Sequence, residues 1–123
     1  MDGLHFQVSA DKLTLTITSP GAPDITCDAT QVDEMIRGLG ILRAAMLPEP
    51  PRQFALGQRV ACVTDPSYAT EPEALQGDSL VHLRHPGFGW LSFLFPRGEA
   101  AKLAGFLHNQ AAQEPVLSGK TVN

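Results

Sequence analysis

Apolar and polar positions alternate strictly at the start of the chain. Leu4, Phe6 and Val8 are set against His5, Gln7 and Ser9, and Leu13, Leu15 and Ile17 against Lys12, Thr14, Thr16 and Thr18. Period two with β-branched residues predicts two half-buried strands over 4–9 and 12–18, joined by a tight turn at Ala10-Asp11. SPGAPD (19–24) is a loop by its Pro and Gly content. Ile25, Cys27 and Ala29 then alternate with Thr26, Asp28 and Thr30, a third and weaker strand.

The period changes at Thr30. Val32, Met35, Ile36, Leu39, Leu42 and Met46 recur at helical spacing and predict a helix from Thr30 to Leu47, ended by Pro48. Thr30 is the expected N-cap, with acids in the first turn complementing the helix dipole. Gly38 and Gly40 lie inside this helix despite their poor propensity, which suggests a close approach to a sheet. PEPPRQFALG (48–57) is a stiff crossover that cannot continue the helix.

The second half repeats the order. Gln58–Thr64 alternates Val60 and Cys62 with Ala61 and Val63 and reads as a strand. The polar loop 65–78 holds an optional edge strand near Ser67–Thr70, and 79–95 reads as a hairpin. Gly98–Gln113, with Ala100, Leu103, Ala104, Leu107 and Ala111 on one stripe, predicts a second helix. The pattern βββα-ββ(β)βα predicts an α+β fold, an antiparallel sheet with two helices packed on one face. A single domain over 1–113 and a frayed tail over 114–123 are expected.

The hairpin SLVHLRHPGFGWLSFLF (79–95) has no clean polar side. A turn of two or four residues would put Val81, Leu83, Trp90, Ser92 and Leu94 on one face, with His85 at its end. Leu80, His82, Arg84, Leu91, Phe93 and Phe95 would then occupy the other. Helices can cover one such face only. An uncovered apolar patch of a few hundred Å2 marks an interaction site, and symmetric self-association is the commonest way to cover one.

Composition narrows the classes. The chain has 123 residues, 43% hydrophobic and 18% charged, with a formal charge of −4, an ordinary globular balance. Its nine Lys and Arg are scattered without forming a stripe, so no nucleic-acid partner is expected. The N-terminus lacks the basic and apolar regions of a secretory signal, and no apolar run approaches a bilayer span. A cytoplasmic, bacterial-type protein with no membrane partner is the expectation. Cys27 and Cys62, the two cysteines, read as free, buried thiols.

Candidate chemistry is sparse. His82 and His85, three apart on a strand, point to opposite faces and cannot share an ion, so no metal is expected. His82 and Arg84 do share a face and could receive an anion or carboxylate; Tyr68 in the neighbouring loop could join them. Asp65, Glu71 and Glu73 are the acids available for acid–base work there. There is no GxSxG, no glycine loop opening a helix and no cysteine in an electropositive setting. Catalytic residues and cofactors are therefore not assigned.

The element order is similar to that of Whirly-type single-stranded DNA binders and of small acidic type III secretion chaperones. The basic, aromatic-studded sheet face of the former is missing, and the latter normally begin with a helix where this chain begins with a strand. No motif specific to either is present.

Three functional expectations follow. The first is a small non-enzymatic protein-binding module, homodimeric through the hairpin, with Trp90, Leu83 and Leu94 as anchors, or Leu91, Phe93 and Phe95 if the sheet is inverted. The second is a small-molecule-binding protein or small enzyme with a pocket near loop 65–78 that uses His82, Arg84 and Tyr68. The third is an acidic immunity or chaperone-type protein that masks a basic partner.

Overall fold

The computed structural model describes residues 3–114; most of the expected tail lies outside them. The chain divides into two compact units, with the boundary between Val60 and Ala61. The first contains β1 (His5–Val8), β2 (Thr14–Thr18), β3 (Ile25–Asp28) and α1 (Ala29–Ala44). The second contains β4 (Tyr68–Pro72), β5 (Ser79–His85), β6 (Gly89–Phe95) and α2 (Arg97–Ala112). This is an α+β protein in the expected order, βββα twice. No helix among the described residues is long and apolar enough to cross a membrane.

The strands form two antiparallel three-stranded sheets, β1-β2-β3 and β4-β5-β6, where a single sheet was expected. The reason lies in 48–64. The proline-rich stretch adopts no regular element, and Gln58–Thr64, expected to be a strand, is not one. Alternation alone does not make a strand, because its backbone groups need a pairing partner. The second unit's first strand is instead the optional one, running through Tyr68–Pro72.

In the first unit, register places Phe6 opposite Ile17, Val8 opposite Leu15, Leu15 opposite Cys27 and Ile17 opposite Ile25. One sheet face is therefore apolar, as the alternation requires. α1 lies against β2 and β3, where Met35 Sδ meets Cys27 Sγ at 3.8 Å. Cys27, 6% exposed, is the one buried residue among those described. Val32, Met35 and Ile36 are half-buried, but Leu39 and Leu42, further along the same stripe, are each 61% exposed. A 16-residue helix is about 24 Å long, whereas four- and five-residue strands span roughly 13–17 Å. The helix outruns the sheet. Gly38 and Gly40 have nothing near them, so the expected close approach to the sheet does not occur.

The local signals at the α1 start need one correction. The N-cap is Asp28, not Thr30: its carboxylate accepts the Gln31 N–H at 2.8 Å, and the Gln31 side chain accepts the Asp28 N–H at 2.9 Å. This reciprocal box satisfies two otherwise orphaned donors. Starting two residues earlier leaves Asp33 and Glu34 beyond the first turn, which holds no acid. At the other end Arg43 donates to the carbonyls of Met46 and Pro48, at 3.3 and 2.8 Å.

Both cysteines are free, but Cys62 is exposed. Its burial was expected from the alternation around it, and that expectation fails with the missing strand.

Candidate functional site

The second unit's sheet carries the features that the sequence singles out. Its outer connection is the β4–β5 turn. Glu73 organises this turn, accepting the N–H groups of Leu75 and Gln76 at 2.8 and 2.9 Å. Those bonds, Gln76 foremost, hold its carboxyl below the usual glutamate range. Backbone bonds from Glu73 N–H to the Asp78 carbonyl and from Gly77 N–H to the Glu73 carbonyl close the turn. Arg97, the first residue of α2, then docks onto it, its N–H donating to Asp78 Oδ1 at 3.2 Å and its Nε to the Gly77 carbonyl at 3.3 Å. Beyond this anchor Leu103 is half-buried, whereas Phe106 and Leu107 are exposed.

The hairpin between β5 and β6 decides which side chains share a face. His85 pairs with Gly89, so Pro86, Gly87 and Phe88 form a three-residue loop. Gly89 has φ +75°, the left-handed residue that ends such loops. His85 closes the loop: Nδ1 accepts the N–H groups of Gly87 and Phe88 at 3.0 and 3.2 Å, and its ring stacks on Phe88 at 4.4 Å.

An odd loop shifts the pairing by one residue relative to the two- or four-residue turns expected. The face assignment therefore changes. Leu83 lies opposite Leu91, Val81 opposite Phe93 and Ser79 opposite Phe95, with Tyr68 beside Leu83 on β4. Trp90 lies opposite Arg84, Ser92 opposite His82 and Leu94 opposite Leu80. Leu83 thus joins the phenylalanines rather than Trp90 and Leu94. His82 and Arg84 do share a face, that of Trp90, but Tyr68 stands on the other one. His82 and His85 point to opposite faces, and no group of three metal-ligating side chains occurs among the described residues.

On the tryptophan face a polar line crosses all three strands. Glu71 Oε2 lies 2.7 Å from His82 Nε2, and His82 Nδ1 lies 2.7 Å from Ser92 Oγ. In the tautomer that carries its proton on Nε2, His82 donates to Glu71 and accepts the Ser92 hydroxyl at Nδ1. A serine, an imidazole and a carboxylate in series are the parts of a nucleophilic site. Here, however, the backbone N–H groups lie in the plane of the sheet while Oγ stands off it. Those N–H groups serve the strand ladder rather than a charge developing at Oγ. The arrangement acts as a cross-strand tie.

No family model matches the chain, and no curated protein or solved structure does.

Both faces of this sheet carry exposed apolar side chains. Trp90 is 54% exposed and Leu94 55% on one side; Phe93 is 47% exposed on the other, with Leu83 and Leu91 exposed beside it. Sequence periodicity finds these residues. It misses Glu71 and Ser92 as partners of His82, because their meeting depends on two registers, β4 on β5 and β5 on β6. The available signal was the polar residue at each matching position of three strands.

Proposed function

We propose that the chain is a small, non-enzymatic protein-binding module that works in the cytoplasm as a homodimer, with the hairpin 79–95 as its self-association surface. The observation that supports this reading is the exposure of Trp90 and Leu94 on one sheet face while Leu83, Leu91 and Phe93 are exposed on the other. Full burial of a large apolar side chain is worth about 1.5–3 kcal/mol, of which these partly exposed ones forgo a fraction each, and apolar patches of this kind mark interaction surfaces. A second copy covers part of this surface, and the apolar area that remains serves a protein partner.

The alternatives have less support. The small-molecule reading placed His82, Arg84 and Tyr68 around one pocket, and Tyr68 is on the opposite face from the other two. The acid-rich masking reading needs carboxylates free to meet a basic partner. In the second unit Glu71, Glu73 and Asp78 are each engaged locally.

Light scattering on purified protein tests the proposal. The expected mass is twice the 13.2 kDa of the chain, and Trp90→Asp should yield the single-chain mass or an insoluble protein. A wild-type mass of one chain at every concentration, or a Trp90→Asp variant with unchanged mass and melting temperature, would overturn it.

A further inference from the structure

We infer that self-association proceeds through the outer edge of β6, which pairs antiparallel with β6 of a second copy about a two-fold axis at Ser92; this rests on the homodimer reading above. The ladder shows which backbone groups are available. Arg84 on β5 donates its N–H to the Ser67 carbonyl at 3.0 Å. Even-numbered β5 residues therefore point towards β4, and odd-numbered ones towards β6. Because Leu83 pairs with Leu91 and Val81 with Phe93, the odd-numbered residues of β6 bond to β5. The N–H and C=O groups of Trp90, Ser92 and Leu94 are left pointing outwards. β6 is the last strand of its sheet, and among the described residues no backbone bond reaches these groups.

The two edges of the sheet differ in kind. β4 reads YATEP, and Glu71 and Pro72 protect it in the ways that edge strands usually are protected. β6 reads GWLSFLF, seven residues with no charge and no proline. An uncharged, apolar, regular edge is a template for another strand. The sequence is also self-complementary about its centre. With Ser92 opposite Ser92, Trp90 falls opposite Leu94 of the second copy on one face, and Leu91 opposite Phe93 on the other. Those are aromatic–aliphatic pairs of the stabilising sort. Ser92 opposite Ser92 becomes a hydrogen-bonding pair, as its outward amide and carbonyl require.

The exposed area sets an upper bound. Trp90, Leu91, Phe93 and Leu94 are 54, 37, 47 and 55% exposed, which corresponds to roughly 400 Å2 per copy. A strand added in the plane of the sheet covers part of this, so with the paired backbone the interface stays at or below the ~1,000 Å2 at which specific interfaces begin.

Amide exchange and two substitutions test the pairing. In the wild-type protein the amides of Trp90, Ser92 and Leu94 should exchange as slowly as those of Leu91 and Phe93. Ser92→Ala should keep the two-chain mass. Ser92→Pro, which removes an outward N–H and none of the backbone bonds to β5, and which like Ser92→Ala loses the hydroxyl bond to His82, should halve the mass while leaving the Leu91 and Phe93 amides protected. A two-chain wild type whose edge amides exchange fast overturns the edge pairing and leaves a homodimer formed elsewhere; so does a folded Ser92→Pro variant of two-chain mass. A wild type of single-chain mass overturns both readings, and slow edge amides in that species would assign the edge to the chain's own residues. Should Ser92→Pro fail to fold, the wild-type exchange pattern still decides.

Discussion

His82 and Ser92 face each other across β5 and β6 with Nδ1 and Oγ 2.7 Å apart, and the other ring nitrogen of His82 reaches Glu71 on β4 at the same distance. One side chain thereby ties three strands. A hydrogen bond of this kind nets about 1 kcal/mol, and the exposure of Glu71 keeps any ion-pair contribution small. His82→Ala should therefore lower the unfolding free energy by about 1–2 kcal/mol in urea titrations. Glu71→Gln retains an acceptor and should cost less than about 0.5 kcal/mol. Equal losses for the two variants would show that charge, not hydrogen-bond geometry, joins the strands.

The three-residue loop makes a separate prediction about its glycines. Gly89 has φ +75° with open space around its Cα, whereas a Cβ on Gly87 would only touch the His85 ring at ordinary contact distance. Gly89→Ala should then destabilise by about 1–2 kcal/mol through the backbone alone. Gly87→Ala should be neutral to within about 0.5 kcal/mol. Thermal melts of the two variants give the comparison. A neutral Gly89→Ala would mean that the loop has another length, and the face assignment would revert to Leu83 beside Trp90.

The same hairpin shows where the sequence was legible. The HPGFG turn between two apolar arms marked 79–95 as a hairpin, and the helical stripes beginning at Val32 and Ala100 marked both helices, because turn residues and apolar periodicity are recorded locally in the chain. Loop length leaves no such record. HPGFG accommodates two, three or four turn residues, and the odd choice moved Leu83 across the sheet. Partition into sheets was equally hidden. Val60 to Val63 has strand composition, yet composition cannot say whether a partner strand lies beside it. The Glu71–His82–Ser92 line needed both registers at once, so sequence showed its residues without their association.

Asp28 supplies a prediction for the first unit. Its carboxylate accepts the Gln31 N–H at 2.8 Å while Gln31 returns a bond to the Asp28 N–H. Removing a cap of this type costs about 1 kcal/mol. Asp28→Ala should lower stability by that amount, Asp28→Asn by much less, and Thr30→Ala, at the position first expected to cap, by almost nothing. Circular dichroism during urea unfolding separates the three. A larger loss at Thr30 than at Asp28 would return the helix start to its later position.

The turn at Glu73 carries a pH dependence of known sign. The Gln76 and Leu75 N–H groups stabilise its ionised form and hold its carboxyl below the ordinary range, so the folded chain releases this proton more readily than the unfolded one. The resulting stabilisation is fully present above the unfolded value of about 4.3 and fades as pH falls through the lower folded value. Because α2 docks on the same turn through Arg97 and Asp78, acidification should first disturb the amides of Leu75 and Gln76 and then those at the start of α2. In an NMR titration both amides should move with a midpoint below that of an unstructured glutamate, and Glu73→Gln should abolish this movement while the rest of the spectrum titrates as before. A midpoint at or above 4.3, or amides that still titrate in the Gln variant, would show that the carboxylate does not hold the turn together.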